Sequence, residues 1–223
     1  MRYFFGLALR PRLPGLRTGA LLAGLLAMTA VAQPVLAEAA PKPETAIVST
    51  LQDGLVEILQ SPPPPGSGAR SKALGDLVAQ TFDINAMGAV AVGIDTYRNW
   101  TKEQRAAFLT AFARFMVATH ANRFEGIQGH TFEIESSEAA QADRRIVHSR
   151  YLRTDKDPVA VDYLVQMTGN GWRILDVYLD GTVSLLALHR AEFTSVLRNQ
   201  GFDGFIAAMN AKADELNPPA ATN

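Results

Sequence analysis

The sequence contains no cysteine, few aromatic residues and little charge. The absence of cysteine among 223 residues excludes a disulfide framework, a thiolate metal site and a cysteine nucleophile. Aromatic residues make up 8% of the chain and charged residues 19%, and 21 basic residues nearly balance 22 acidic ones. The net charge of -1 argues against a strongly basic nucleic-acid-binding protein. What the chain has instead is 48% hydrophobic residues, which is enough for one sizeable core.

The common motifs of metal and nucleotide sites are also missing. No two of the histidines (His120, His130, His148 and His189) are four positions apart, and no acid-rich loop has the spacing of a calcium-binding hand. Neither a Gly-x-Ser-x-Gly turn nor a phosphate-binding Gly-Lys-Ser/Thr loop occurs. The sequence therefore predicts no bound metal and no cofactor.

The N-terminal segment is organised like an export signal. Four arginines precede an apolar run at about 19–31, and no acidic residue occurs before Glu38. The run is shorter than the roughly 20 residues that a membrane-spanning helix needs. The tripeptide Val35-Leu36-Ala37 fits the small-x-small pattern of a cleavage site. The predicted organisation is a cleaved signal peptide at 1–37, a tether at 38–43, a single domain at 44–217 and a tail at 218–223.

Helical periodicity dominates the first half and the end of the predicted domain. Apolar residues there recur every three to four positions, as in helices that bury one face. Asp83 can cap a helix, and Thr101 and Gln104 have the spacing of a capping box. The predicted helices span about 44–60, 71–82, 83–92, 101–124 and 184–200, and a last one surrounds Phe205 to Met209.

The period changes from 3.6 to 2 after residue 130. Four segments with alternating apolar residues predict strands, at about 131–136, 144–153, 159–167 and 172–179. The short loops between them, such as Gly169-Asn170-Gly171, favour an antiparallel meander. The predicted fold class is α+β, a curved, four-stranded antiparallel sheet packed by several helices.

The fourth predicted strand is apolar on both faces, whereas the strands of a sheet covered on one side should alternate. Its second face is therefore either covered by another layer or lines an internal apolar cavity. Two further hypotheses stay open. One is a pocket enzyme with Asp176 or Asp180 as general base, since a carboxylate in an apolar pocket can have a raised pKa. The other is an adaptor whose exposed apolar face docks a partner.

The segment from Trp172 to Phe193 resembles the hallmark of a known family. It reads Trp-Arg-Ile-Leu-Asp-Val, then Asp-Gly-Thr-Val-Ser, then Arg-Ala-Glu-Phe. The hallmark is W-x-I-x-D-V, an acidic or similar residue before G-x-S, and R-x-x-F, and it belongs to the MlaC-type periplasmic lipid carriers, also called the toluene-tolerance auxiliary family. Gly181-Thr182-Val183-Ser184 and His189 stand where carriers proper more often show Gly-Val-Ser and a tyrosine. Residues 176–184, together with Leu186-Ala187 and Arg190-Ala191-Glu192-Phe193, look like the branch of the family associated with hopanoid biosynthesis.

The resemblance implies a monomeric periplasmic carrier of phospholipid or hopanoid, with no catalytic activity and no cofactor besides its cargo. Such carriers exchange lipid with an inner-membrane ABC-type transport complex and an outer-membrane partner. The implied fold is a cone, similar to NTF2-like folds, around a hollow wide enough for a lipid tail. The residues expected to line the hollow are Phe112, Phe115, Met116, Val161, Tyr163, Val165, Trp172, Ile174, Val177 and Tyr178.

The predicted cleavage site can be checked directly. Protein expressed with residues 1–37 and recovered from the periplasm should begin at Glu38, and intact-mass spectrometry measures this. Ala37→Asp should block cleavage, because signal peptidase requires a small residue at that position. Recovery of the unprocessed wild-type chain would contradict the prediction.

Overall fold

The computed structural model describes residues 42–60, 69–123, 129–154 and 156–216. The predicted signal peptide, the proline-rich stretch at 62–68 and the tail at 218–223 lie outside these ranges. The described residues form helices α1 (Pro43–Gln60), α2 (Ala69–Thr81), α3 (Ile84–Val92), α4 (Ile94–Asn99), α5 (Lys102–Arg123) and α6 (Leu185–Leu216), and strands β1 (Thr131–Ala139), β2 (Arg144–Arg153), β3 (Lys156–Thr168), β4 (Gly171–Leu179) and β5 (Val183–Ser184).

The predicted helix caps are confirmed. The Asp83 carboxylate accepts a hydrogen bond from the Ala86 N–H at 2.9 Å and so begins α3. The capping box before α5 is complete: the Gln104 N–H donates to the Thr101 hydroxyl at 3.1 Å, and the Thr101 N–H donates to the Gln104 side chain at 3.0 Å. The sequence did not predict α4, whose six residues follow directly on Gly93.

All five strands pair antiparallel in chain order, from β1 to β5. The α+β class and the antiparallel meander are therefore confirmed, but the expected count of four strands is wrong. The fifth strand has only two residues, Val183 and Ser184, which pair with Leu179 and Tyr178. Two residues cannot show an alternating pattern, so this strand leaves no periodic signal. The NTF2-like cone stays a prediction.

A β-bulge lies in the part of β4 whose residues are buried on both faces. Val165 of β3 pairs with Ile174, whereas the preceding Leu164 pairs with Asp176, so Leu175 has no partner on β3. Bulges re-aim the side chains around them. Here all four residues from Ile174 to Val177 are buried.

The helices bury one contiguous core against the sheet. Helix α1 packs on the four long strands, while α5 packs between α2 and α6. The centre of the core is Phe108, whose ring stacks on Phe112 at 5.5 Å and on Phe205 at 6.0 Å, and meets Trp100 edge-on at 5.1 Å. Aromatic pairs of this kind add to the stabilisation from burial.

Helix α6 consists of two straight segments that meet at Gly201. This residue has φ 70° and ψ −174°, which is not helical. Glycine tolerates a positive φ because it has no Cβ. The first segment carries Leu185, Leu186 and Phe193 to the core, and the second carries Phe205 and Met209.

None of the helices within the described ranges is both long and apolar enough to cross a membrane.

Phe108→Ala should lower the free energy of unfolding by about 3–5 kcal/mol, the usual cost of truncating a fully buried phenylalanine. Leu188→Ala is the matched control, since Leu188 is 55% exposed and exposed substitutions change stability by about 0.5 kcal/mol or less. Urea unfolding of both variants measures the difference. Equal losses would show that the aromatic cluster is not the centre of the core.

Candidate functional site

A cavity lies between the sheet and the helices. Its volume is about 30 Å³, which is room for about two water molecules. Strands β3 and β4 form one wall, and helices α1, α3, α5 and α6 form the others. Its lining consists of Leu51, Leu55, Met87, Met116, Thr119, Val161, Tyr163, Asp176, Val177, Leu179, Leu185, Leu186 and His189.

Four of the ten residues expected to line the hollow lie along this cavity. Met116 projects from α5, Val161 and Tyr163 from β3, and Val177 from β4. The sheet register places the last two side by side, because Tyr163 pairs directly with Val177. The volume of the cavity is much smaller than that of the lipid-tail-sized hollow that the family resemblance implies.

The other six residues lie elsewhere in the fold. Phe112 and Phe115 pack edge-on against Phe193. Val165 and Ile174 are fully buried and pair across β3 and β4. The remaining two, Trp172 and Tyr178, are half-buried; the guanidinium of Arg145 lies 6.0 Å from the Trp172 ring centre.

Sequence reasoning missed the residues that the helices contribute. Leu51 and Leu55 lie on the apolar face of the helix predicted at about 44–60, but periodicity cannot show which part of a core that face meets. Nothing in the sequence around Met87, Thr119 or the first turns of α6 indicates that these residues line a cavity. They belong to the lining because of where they lie in the fold, not because of their residue type.

The lining has a deeply buried floor and a half-buried rim. Leu51, Leu55 and Met87, which belong to the floor, are each 1% exposed. Tyr163 is also part of the floor, and burial raises the pKa of its phenol to about 12. Its hydroxyl is hydrogen-bonded to Gln52, so this polar group is neutral and already has a partner inside the wall.

The rim contains three half-buried residues, Thr119, Leu179 and His189. The His189 ring stacks on Phe193 with centroids 5.5 Å apart and meets Phe115 edge-on at 5.0 Å. These two contacts fix the orientation of the imidazole. Two of the three rim residues, Thr119 and His189, have polar side chains.

Asp176 joins β4 to the start of α6. One carboxylate oxygen accepts a hydrogen bond from the Ser184 hydroxyl at 2.5 Å, and the other accepts from the Leu186 N–H at 3.2 Å and the Val177 N–H at 2.8 Å. The Ser184 hydroxyl oxygen in turn accepts from the Ala187 N–H at 3.0 Å, so Ser184 caps the start of α6.

Burial raises the pKa of the Asp176 carboxyl above its usual value, and the bonds from Ser184, Leu186 and Val177 together with nearby His189 act in the opposite direction. The second aspartate of the enzyme hypothesis, Asp180, is exposed in the turn after β4. Its backbone has φ 49°. The two carboxylates therefore have different environments, and both oxygens of Asp176 are engaged by the protein's own donors.

A raised pKa in the folded state means that folding favours the protonated carboxyl. Its contribution to stability is full below the pKa of the unfolded chain and is lost as the pH rises through the folded-state pKa. Relative to Asp176→Asn, which does not titrate here, the wild type should therefore become more stable as the pH falls from 7 to 4. Urea unfolding across that range measures the difference, and a constant difference would contradict the raised pKa.

Comparison with known proteins agrees with this architecture. The fold matches a phospholipid-binding protein from Ralstonia solanacearum, solved at 1.53 Å in complex with a phospholipid, with a TM-score of 0.65 and 21% sequence identity; the match covers 79% of this chain and 99% of the other. At that identity the likeness establishes the fold. Residues 49–211, well over half of the sequence, match the family described as MlaC protein. The chain therefore belongs to the MlaC family.

Proposed function

We propose that this protein is a periplasmic carrier that holds acyl or polycyclic lipid tails in the cavity between sheet and helices. The observation that carries the proposal is an apolar cavity, walled by leucine, valine and methionine side chains, in a chain of the MlaC family. MlaC proteins are periplasmic, and the signal peptide predicted at 1–37 would deliver the chain there. The phospholipid bound by the Ralstonia protein supports the same class of ligand here.

The narrowness of the cavity is compatible with this function on energetic grounds. A sixteen-carbon tail needs roughly 500 Å³ if each carbon occupies about as much space as a water molecule in the liquid. Unfilled space of that size would cost on the order of 12 kcal/mol at about 24 cal/mol per Å³. That is similar to the entire stability of a typical domain. Walls that close together and separate around a tail avoid this cost.

The tail itself supplies the driving force for separating the walls. Transfer of a sixteen-carbon chain from water to an apolar site is favourable by about 12 kcal/mol, at about 0.8 kcal/mol per CH₂. Met87 and Met116 on opposite helices are suited to such a site, because methionine has three rotatable bonds and adapts to irregular contours. The headgroup would stay outside, near the half-buried rim.

The carrier would exchange its lipid with an inner-membrane ABC-type complex and an outer-membrane partner. Either phospholipid or hopanoid is a chemically reasonable cargo, since the floor of the cavity is apolar and selects for shape rather than for polar groups. The proposal includes neither a catalytic residue nor a cofactor.

Protein purified from the periplasm should carry lipid through to the final column. Organic extraction followed by mass spectrometry identifies it, with bovine serum albumin stripped of lipid as the blank for the procedure. Protein that is repeatedly free of lipid and takes up none from vesicles would overturn the carrier assignment.

Val161→Trp should reduce the lipid recovered per mole of protein by about tenfold, because overpacking of about 1–3 kcal/mol at a cavity wall opposes entry of the tail. Val161 is 4% exposed and lines the cavity. Leu188→Trp is the control, since Leu188 is 55% exposed. Unfolding curves establish that both variants are folded. Full lipid content in a folded Val161→Trp protein would show that the tails bind elsewhere.

A further inference from the structure

Thr119 differs from three other threonines that lie inside helices. Thr50, Thr81 and Thr110 each donate their hydroxyl hydrogen to the backbone carbonyl four residues earlier, at 2.7–3.0 Å. This is the usual way for a helical threonine to satisfy its hydroxyl. The Thr119 hydroxyl oxygen is buried and has no hydrogen-bond partner among the residues that the structure describes. A buried hydroxyl without a partner costs free energy, so it requires an explanation.

The position of Thr119 suggests what its hydroxyl binds. The residue lines the cavity on α5, one helical turn after Met116. It belongs to the half-buried rim with Leu179 and His189, whereas Leu51, Leu55 and Met87 form the floor. If lipid tails fill the floor, the part of the lipid that reaches the rim is the junction between tails and headgroup.

In a phospholipid with ester-linked chains, that junction carries carbonyl oxygens, which accept hydrogen bonds but cannot donate them. The Thr119 hydroxyl can donate. We propose that Thr119 binds an ester carbonyl of the cargo and so makes the pocket selective for ester-linked over ether-linked lipids. This inference rests on the proposed carrier function and adds a polar specificity determinant to it.

The expected preference for ester-linked lipid follows from the free energy of one hydrogen bond. A buried pair of this kind contributes a factor of about five to ten in affinity. An ether-linked lipid has a CH₂ group in place of the carbonyl, so it offers the threonine hydroxyl no carbonyl acceptor at that position.

The test is a competition between two lipids in one vesicle. Wild-type protein is incubated with excess vesicles made of equal amounts of dioleoyl phosphatidylcholine and its diether analogue with the same chains. The protein is re-isolated and its lipid is quantified by mass spectrometry. The expected ratio of ester to ether lipid on the wild type is about five to ten, after correction for the ratio in the vesicles.

Substitutions at the same helix separate the hydroxyl from other effects. Thr119→Val keeps the shape and removes the hydroxyl, so the ratio should fall to about one, while total lipid stays within about twofold. Thr119→Ser keeps the hydroxyl and should retain the wild-type preference. Thr110→Val is the matched control, because Thr110 is exposed on the same helix, and its ratio should equal that of the wild type.

The measured ratios separate the role of Thr119 from the carrier function. A wild-type ratio near one, or a preference that survives in Thr119→Val, would overturn the role of Thr119 and would indicate that its hydroxyl binds only a buried water. In both cases lipid is still bound, so the carrier function stands. Uptake of neither lipid by the wild type would overturn the carrier function, and the inference with it.

Discussion

The hydrogen bonds that join β4 to the start of α6 are the contact on which the cavity depends. A helix begins with N–H groups that have no partner within the helix, and here Ser184 and Asp176 provide acceptors for those of Ala187 and Leu186. A carboxylate near a helix N-terminus is also favoured by the helix dipole. Because Asp176 is itself part of β4, the same group fixes the start of α6 to the sheet. Leu185, Leu186 and His189 follow within two turns and close the cavity on that side.

This arrangement assigns a structural role to the acidic residue that the family hallmark has in common with this chain. Asp176 combines burial, which disfavours its charge, with three hydrogen bonds that favour it. The bonds hold the side chain in one position between β4 and the start of α6, which the pairing of β5 with β4 also brings together. The cavity behind it can then be almost entirely apolar, with Tyr163 neutral and Thr119 as an uncharged group at the rim. Under the proposed function, such a site would discriminate lipids through volume and through single hydrogen bonds.

Much of the fold could be predicted from the sequence, because its signals are local. The capping residues Asp83 and Thr101 start helices where the sequence indicated, and the period change after residue 130 marks the beginning of the sheet. Elements too short to repeat a pattern were missed: α4 has six residues, less than two helical turns, and β5 has two. The residues that line the cavity were the hardest part of the structure to predict from the sequence. Residue type identifies what is buried, but the choice between cavity wall and solid core depends on small differences in how neighbouring elements approach, and no single stretch of sequence contains that information.

The interruption of α6 at Gly201 has a mechanical consequence. The segment before it covers the cavity through Leu186 and His189, whereas the segment after it is anchored to α5, where Arg114 contacts both Asn210 and Asp214. A continuous helix would transmit any tilt along its whole length. Because the helical backbone is interrupted at Gly201, each segment can take the direction that its own contacts require. The first segment stays joined to β4 through Asp176 and Ser184, and the second stays joined to α5 through Arg114.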